Sequence, residues 1–402
     1  MVRDFIRDRL YASSEGYFQK EDHQVGQLSE PIEFGQLLGY HAYRQQFEQR
    51  YPQNAWITPS EVFKPYFGYM VGNYIIENWY QNKYKNIRIV EIGPGTGVLA
   101  ESIIEYLKMN AVQRRINFDY HLVEISESLC KNIEQRMEDS FPSLIKNEQI
   151  KVFNKSILEY DISTKVPTFV IGMEILDNMP HDRLYKESED VKEPWKYQTT
   201  VELNKEGGEE FLQENIEEIN DEWCQLYLDL HSRIPKMDNI DLAKEMDKLG
   251  IFPKLSDMWR SLTGRRPLKD NIFIPTETLR LFKHVNTIMP SHHLVLADFD
   301  SFIMPRKSVN GINAPLVTNK LAGPSEWESH DTYLIDQGVA DICFPSDFYY
   351  LRHSYELVTG KKASHMKNYE MFDKFAVSNW CETQNGFNPM KEEYVNTSFL
   401  LS

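Results

Sequence analysis

The 402-residue chain is 41% hydrophobic and 26% charged, the profile of a folded protein with a large core rather than of a disordered or fibrous one. Its net charge of −16 argues against nucleic-acid backbone or anionic membrane as the main partner, since either calls for a basic surface. The four cysteines (Cys130, Cys224, Cys343 and Cys381) are widely spaced and include no CxxC pair, so neither a zinc site nor a disulfide framework is expected. No apolar run reaches the length of a membrane span.

In chain order, residues 1–13 carry apolar residues at 2, 5, 6 and 10 and predict a short amphipathic helix. Its alternating Arg and Asp are unlike a mitochondrial presequence, which is poor in acids. Residues 33–48 and 60–80 predict further helices, the second with Ser60 as N-cap and many aromatics. From residue 87 the pattern becomes strand, glycine loop, helix, strand. "IRIVEI", "FDYHLVEI", "IKVFN" and "PTFVIGMEIL" read as four strands, with helices over 98–109 and 126–139, the latter capped by Ser126. This alternation predicts an α/β fold with a Rossmann-like doubly wound sheet, whose ligand site lies at the carboxyl ends of the strands.

The stretch 186–222 is strongly acidic and reads as a solvated hairpin with an exposed linker or helix; 223–285 reads as mainly helical or irregular. A strand returns at "HHLVLADFD" (292–300), and 304–332 reads as loop-rich. Four regions follow: an N-terminal helical region (1–85), a Rossmann-like core (86–185), an acidic, mostly helical insertion on the substrate side (186–290), and C-terminal strands that complete the sheet (291–402).

The glycine loop reads Glu91-Ile92-Gly93-Pro94-Gly95-Thr96-Gly97. A dinucleotide fingerprint, G-x-G-x-x-G, would place its third glycine at Val98, and no Gly-Lys-Ser/Thr follows for a P-loop. A nicotinamide oxidoreductase is therefore disfavoured. A carboxylate beside a pyrophosphate is repulsive, by a few kcal/mol at about 4 Å and an effective dielectric near 20. The same carboxylate suits a cationic nucleoside such as S-adenosyl-L-methionine (SAM), with Gly93, Gly95 and Gly97 letting backbone approach it. Glu124, ending the second strand, is placed to accept hydrogen bonds from both ribose hydroxyls. Asn154 and Ser156, at the exit of the third, lie where the adenine would meet the protein, although both residue types also favour turns.

The fourth strand's exit, "VIGMEILDNMPHDRL", gathers Glu174, Asp177 and His181. Glu174 and Asp177 stand at i and i+3, one face of a helical turn, with His181 four residues further on. Two carboxylates here would clamp a cationic acceptor such as a guanidinium and take its released proton. The alternative for these acids is a capped, solvated turn.

Together these segments resemble the MidA-like methyltransferases, a family that includes a mitochondrial complex I assembly factor that dimethylates arginine. "SSEGYF" resembles its "GYY" turn, and "WITPSEVFKPYFGYMVG" (56–72) its "ITSPEISQxFGELIG". "EIGPGTGVL" (91–99), "VEISESL" (123–129) and "MEILDNMPHD" (173–182) are similar to "ELGPGxGxL", "VExSxxL" and "NExxDxxPxH". "DFD" (298–300) and "DICFPSDF" (341–348) stand for "DYG" and "DITAHVDF". The matches run in order over nearly the whole chain. Met173 replaces an asparagine, His181 falls one position early, Asp300 replaces a glycine and Pro345 a histidine, all on the presumed acceptor side. The resemblance implies SAM as cofactor, a protein arginine side chain as substrate and a mitochondrial location, with the cytoplasm as the alternative. A non-catalytic assembly protein that keeps the fold is the second reading.

Overall fold

The computed structural model describes the chain except residues 14, 21–25, 53–54, 115, 187–193, 207–208, 236–270, 306 and 321–326. The helices in chain order are α1 (Val2–Tyr11), α2 (Tyr40–Arg50), α3 (Pro59–Val62), α4 (Tyr66–Asn82), α5 (Val98–Arg114), α6 (Glu127–Ser140), α7 (Pro142–Lys146) and α8 (Glu222–Arg233). They continue with α9 (Thr276–Ile288), α10 (Phe348–Thr359), α11 (Asn368–Phe375) and α12 (Pro389–Glu392). The central sheet contains β1 (Asn86–Ile92), β2 (Asn117–Glu124), β3 (Ile150–Asn154), β4 (Thr168–Met173), β9 (His292–Phe299), β13 (Ser364–Lys367) and β14 (Thr397–Leu401). Accessory strands are β5 (Asp182–Tyr185), β6 (Tyr197–Glu206), β7 (Glu209–Glu218), β8 (Asn271–Ile274), β10 (Leu316–Lys320), β11 (Trp327–His330) and β12 (Asp341–Cys343).

The central sheet has the order β13-β14-β9-β4-β1-β2-β3. The five strands from β9 to β3 are parallel, while β14 runs antiparallel to β9. After β3 the chain crosses back to lay β4 on the other side of β1. That reversal is the point at which doubly wound sheets open a ligand crevice. Strand alternation divides the core. Ile87 and Ile89 of β1 pack with α4 and α5 on one face, while Val90 and Ile92 join the cluster of α8, α9 and α10 on the other. The first face is drawn tight at Gly68 of α4, where an added Cβ would lie 2.4 Å from the Ser102 Cβ of α5.

Two smaller sheets lie beside the central one, in the orders β7-β6-β5-β8 and β11-β10-β12. The acidic stretch forms a hairpin, β6–β7, as expected. The insertion is less helical than its composition suggested: its described residues supply β6, β7 and β8 as well as α8 and α9. β5 falls within the range read as core, yet pairs with β6 and β8. The segment 304–332, read as loop, holds β10 and β11. Its strands are only five and four residues long, too short to leave a period-two signature.

The helix expected over 60–80 is two helices, with Pro65 at the junction as N-cap of α4. Proline lacks the N–H an uninterrupted helix requires. Thr58, not Ser60, precedes the first turn, and Pro59 takes its first position. The helix expected over 33–48 begins only at Tyr40, after Gly39. Ser126 caps α6 as predicted, its Oγ accepting from the Leu129 N–H at 3.4 Å.

α1 turns two stripes in different directions. Val2, Ile6 and Leu10 pack into a cluster with Phe273, Val317 and Ile342 of the accessory sheets and with Phe344 just beyond β12. Asp4, Arg7, Asp8 and Tyr11 face a cavity at the carboxyl ends of the central strands. Arg3 anchors the helix: its guanidinium binds Asp182 at 2.6 Å and Asp221 at 2.5 and 2.9 Å.

Candidate cofactor and acceptor site

A cavity of about 860 Å³ opens beyond the carboxyl ends of β1, β2, β3 and β4, large enough for a nucleoside cofactor and an acceptor side chain together. Its floor is Ile92, Gly93 and Gly95, one side is Glu124 with the segment 154–159, and the other is Glu174 and Ile175 with Asn178, Met179 and Pro180, with α1 opposite.

The glycine loop needs its glycines for two reasons. Gly93, Gly95 and Gly97 have φ of +62°, +55° and +78°, in the left-handed region that L side chains avoid at about 1 kcal/mol each. Gly93 is also crowded, since an added Cβ would lie 3.1 Å from Cγ2 of Ile175. Gly93 and Gly95 line the cavity. Gly97 does not; its α-carbon faces Ile133, Arg136 and Met137 of α6, so it serves the packing of helix on loop.

Glu124 stands at the cavity wall with its carboxylate fixed. One oxygen accepts from the Ser126 N–H at 2.9 Å and the other from the Gly95 N–H at 3.4 Å. Burial raises its pKa, and backbone donors from Ser126, Gly95 and Ile125 oppose the rise. A carboxylate so held keeps lone pairs for two vicinal hydroxyls. Asn154 lines the cavity, with its amide donating to the Glu124 and Ile125 carbonyls at 3.1 and 3.0 Å. Ser156 also lines it and caps the short turn 157–159 in a capping box with Glu159. Both residues therefore shape the loop, and both border the space where a base would lie.

Glu91 is the residue whose position departs most from expectation. It shares a strand face with Ile87 and Ile89, is 2% exposed, and accepts a short hydrogen bond from the Tyr120 hydroxyl on the side of the sheet away from the cavity. The reason is alternation: Ile92, its neighbour, takes the cavity-side direction. Burial pushes the Glu91 carboxyl up to about 7, with the Tyr120 hydrogen bond opposing and the Glu124 charge adding to the rise. The folded state thus holds a proton between pH 4.5 and 7 that the unfolded chain has lost. Stability due to this group is present below pH 4.5 and is lost as pH rises through about 7. Glu91→Gln keeps the acceptor for Tyr120 and is expected to reduce the drop in stability between pH 5 and pH 8 by up to about 3 kcal/mol. Urea midpoints of the variant and the parent at both pH values check this; identical drops refute it.

The three residues after β4 diverge. Glu174 lines the cavity and itself has a left-handed backbone, φ +54°, which breaks the helical turn expected over 174–177. Burial and the charge of Asp298 raise its pKa well above the usual carboxylate range. Asp177 turns instead into the protein, 5% exposed, near Asp298 and Asp341; burial and those charges keep its carboxyl protonated well above the ordinary range. His181 is buried, its ring stacked on Phe344 with centroids 3.9 Å apart and its Nδ1–H donating to the Met179 carbonyl at 2.7 Å. Desolvation lowers its pKa to about 3, so the ring is neutral. The structure therefore brings Glu174 to the cavity and leaves Asp177 and His181 outside its wall, in supporting positions. The clamp of two acids on one helical face is replaced by one acid on a strained turn.

Asp182, Asp221 and Cys224 lie close enough to suggest a metal site. The Arg3 guanidinium already supplies the cation there. The four cysteines are all free thiols. Among the described residues, no helix is long and apolar enough to cross a membrane.

A family model described as "Putative S-adenosyl-L-methionine-dependent methyltransferase" matches residues 70–367, nearly three quarters of the chain. The chain belongs to this family. A protein arginine methyltransferase NDUFAF7 homolog, mitochondrial, of Schizosaccharomyces pombe is 21% identical over 381 residues, covering 90% of this chain and 76% of the relative. The Xenopus tropicalis protein arginine methyltransferase NDUFAF7, mitochondrial, is 27% identical over 207 residues, covering 48% of this chain and 41% of that one. A superfamily member from Burkholderia thailandensis, crystallised with S-adenosyl-homocysteine, shares the fold at a TM-score of 0.55 and 13% identity, over 100% of this chain and 87% of that one. The MidA-like resemblance, the Rossmann-like methyltransferase fold and SAM as cofactor all hold for this chain. Its residues fit that cofactor. Gly93 leaves a cradle that a Cβ would crowd, and Glu124 offers a fixed acceptor within the same cavity.

Several working residues gave no sequence signal. Tyr11 donates its hydroxyl to the Asn178 carbonyl at 2.9 Å, closing α1 onto the β4 turn. Arg7 binds both oxygens of Glu277 at 3.0 Å across the cavity rim. The amphipathic pattern of α1 announced its buried stripe and not the polar one.

Proposed function

We propose that this methyltransferase acts on arginine side chains of a protein, and that its setting is mitochondrial and concerned with respiratory complex assembly. The observation that carries the reading is Glu174, presented on a left-handed turn into the cavity that holds Gly93, Gly95 and Glu124. Charge supports it. Among the described residues, seven carboxylate residues line the cavity against two cationic ones, a setting that favours a guanidinium. The names of the Schizosaccharomyces and Xenopus relatives support the arginine and the compartment.

In this reading SAM, when bound, supplies an electrophilic methyl group on a sulfonium. Gly93 and Gly95 admit the methionine end and Glu124 accepts from the ribose hydroxyls. Glu174 receives the guanidinium and turns one nitrogen lone pair toward the methyl carbon, so that alignment supplies much of the rate. On transfer, the acceptor nitrogen would give up its proton to the Glu174 carboxylate as it gains the methyl group, the electron pair of the broken carbon–sulfur bond remaining with the thioether product. A cation against Glu174 favours its ionised form, reversing the rise that burial causes.

Calorimetric titration with S-adenosyl-homocysteine tests the foundation. The parent is expected to bind, and Glu124→Ala to raise Kd at least tenfold. Mass spectrometry of a glycine- and arginine-rich peptide incubated with SAM tests the acceptor. No methylarginine on the peptide or on mitochondrial protein would sink the arginine assignment.

A further inference from the structure

Asp298, the last residue but one of β9, is completely buried, with 0% exposure, and is absent from the cavity wall. Its carboxylate is nevertheless full. One oxygen accepts from the Leu176 and Asp177 N–H groups at 2.6 and 3.1 Å, and the other from the Phe299 N–H at 2.7 Å. The first two donors belong to the turn that follows Glu174, a segment with no helical or strand hydrogen bonds to fix it. The turn starts from a firm edge, because the Glu174 N–H still donates to the Ala297 carbonyl at 2.8 Å, continuing the β4–β9 pairing by one residue. Beyond that bond the chain must leave the sheet, place Glu174 in a left-handed conformation, and fold Ile175 back over the glycine loop. Ile175 would meet Cβ atoms added at Gly172 and Gly93 at 2.4 and 3.1 Å. Those closely spaced groups leave the turn one direction to take.

We propose that Asp298 is a positioning residue for methyl transfer: by gathering the N–H groups of Leu176 and Asp177 it wraps the turn around its carboxylate and so aims Glu174 into the cavity. This rests on the role given to Glu174 above. A carboxylate is required by the donor count. Three N–H groups converge on two oxygens, and an asparagine would offer one acceptor and turn an NH₂ donor toward the remaining N–H. The outer side of the turn is tied separately, with the Phe344 N–H donating to the Asp177 carbonyl at 2.7 Å and Asn178 donating to Asp341 at 2.7 Å. Loss of Asp298 should therefore loosen the Glu174 end without releasing the whole segment. The cofactor cradle lies on β1 and β2 and has its own bonds.

The experiment compares the parent, Asp298→Asn, and a control, Asp373→Asn, whose carboxylate pairs with Lys391 at the surface and takes no part in the turn. For Asp298→Asn, hydrogen exchange of the 174–178 amides is expected to speed up at least tenfold, with the 89–97 amides unchanged. Kd for S-adenosyl-homocysteine should stay within about fivefold. With a glycine- and arginine-rich peptide and labelled SAM, kcat should fall at least 50-fold and KM move less than threefold. Asp373→Asn should leave all of these at parent values. Unchanged exchange, a kcat within threefold of the parent, or a loss confined to cofactor affinity would overturn the assignment. If Asp298→Asn does not fold, exchange in the parent decides: the Leu176 and Asp177 amides must be protected, and free exchange there overturns it. An inactive parent would count against the arginine reading, while the exchange measurements would still judge Asp298.

Discussion

Glu174→Gln is expected to lower kcat for methyl transfer by about 100-fold or more, with Kd for S-adenosyl-homocysteine changed less than threefold. The size is that of a lost general base together with a misdirected acceptor. Glutamine keeps the shape and the left-handed backbone that Glu174 adopts at φ +54°. It cannot take a proton, and its NH₂ would face the guanidinium's own donors. The cradle of Gly93, Gly95 and Glu124 stands on other strands and is left intact. The check is steady-state kinetics beside calorimetry on one preparation. Full activity in the variant would remove Glu174 from the chemistry and favour a protein that keeps the fold for assembly alone. Glu174→Gly relaxes the backbone but discards the carboxylate, so it should lose activity while gaining stability by about 1 kcal/mol.

Arg3→Ala is expected to destabilise the protein by about 3–5 kcal/mol, read from urea midpoints at pH 7. Arg3 is 7% exposed and Asp182 0%, so the substitution strands a carboxylate where water does not reach it. The Thr276 hydroxyl, 2.7 Å from Asp182, would be its remaining side-chain donor, and Asp221 would lose both of its guanidinium bonds. Burial already raises the Asp182 pKa against the pull of Arg3. Without that pull the Asp182 pKa should rise further, so the deficit should shrink as pH falls. Asp182→Asn in the same chain removes the stranded charge and should recover about half of the loss. Equal stability of Arg3→Ala and the parent would mean that α1 is not anchored as described. The single variant should also weaken S-adenosyl-homocysteine binding, since α1 forms a wall of the cavity.

How far the sequence carried can be seen residue by residue. The strands β1 to β4 and β9, the glycine loop, the Ser126 cap and the Glu124 wall were legible because each depends on local pattern: an apolar run, a φ that only glycine likes, an oxygen before a helix. Glu174 was legible from its place after a buried strand. The direction of Glu91 was misjudged because the loop's chemistry was weighed above the alternation of the strand that carries it. Asp177 and His181 looked like partners of Glu174 on the assumption of a helical turn, and the left-handed residue at 174 removes that periodicity. Asp298 and Arg3 were out of reach for another reason. Their partners lie 121 to 218 positions away, and no local pattern encodes such a meeting.

That distance has a consequence for biosynthesis. The side-chain partners that fix α1 include Asn178, Asp182, Asp221, Glu277 and the Ile335 carbonyl, up to 326 residues further along the chain. At translation speeds of about 5–20 residues per second, the helix waits on the order of 15 to 60 seconds for the last of them. Until Phe273 and Val317 are made, Val2, Ile6 and Leu10 have no accessory strand to cover them. A nascent chain can thus complete the glycine loop and β2 well before it owns a closed pocket, and α1, made before either, docks only after them. The emerging polypeptide should be a chaperone client by way of the apolar stripe of α1.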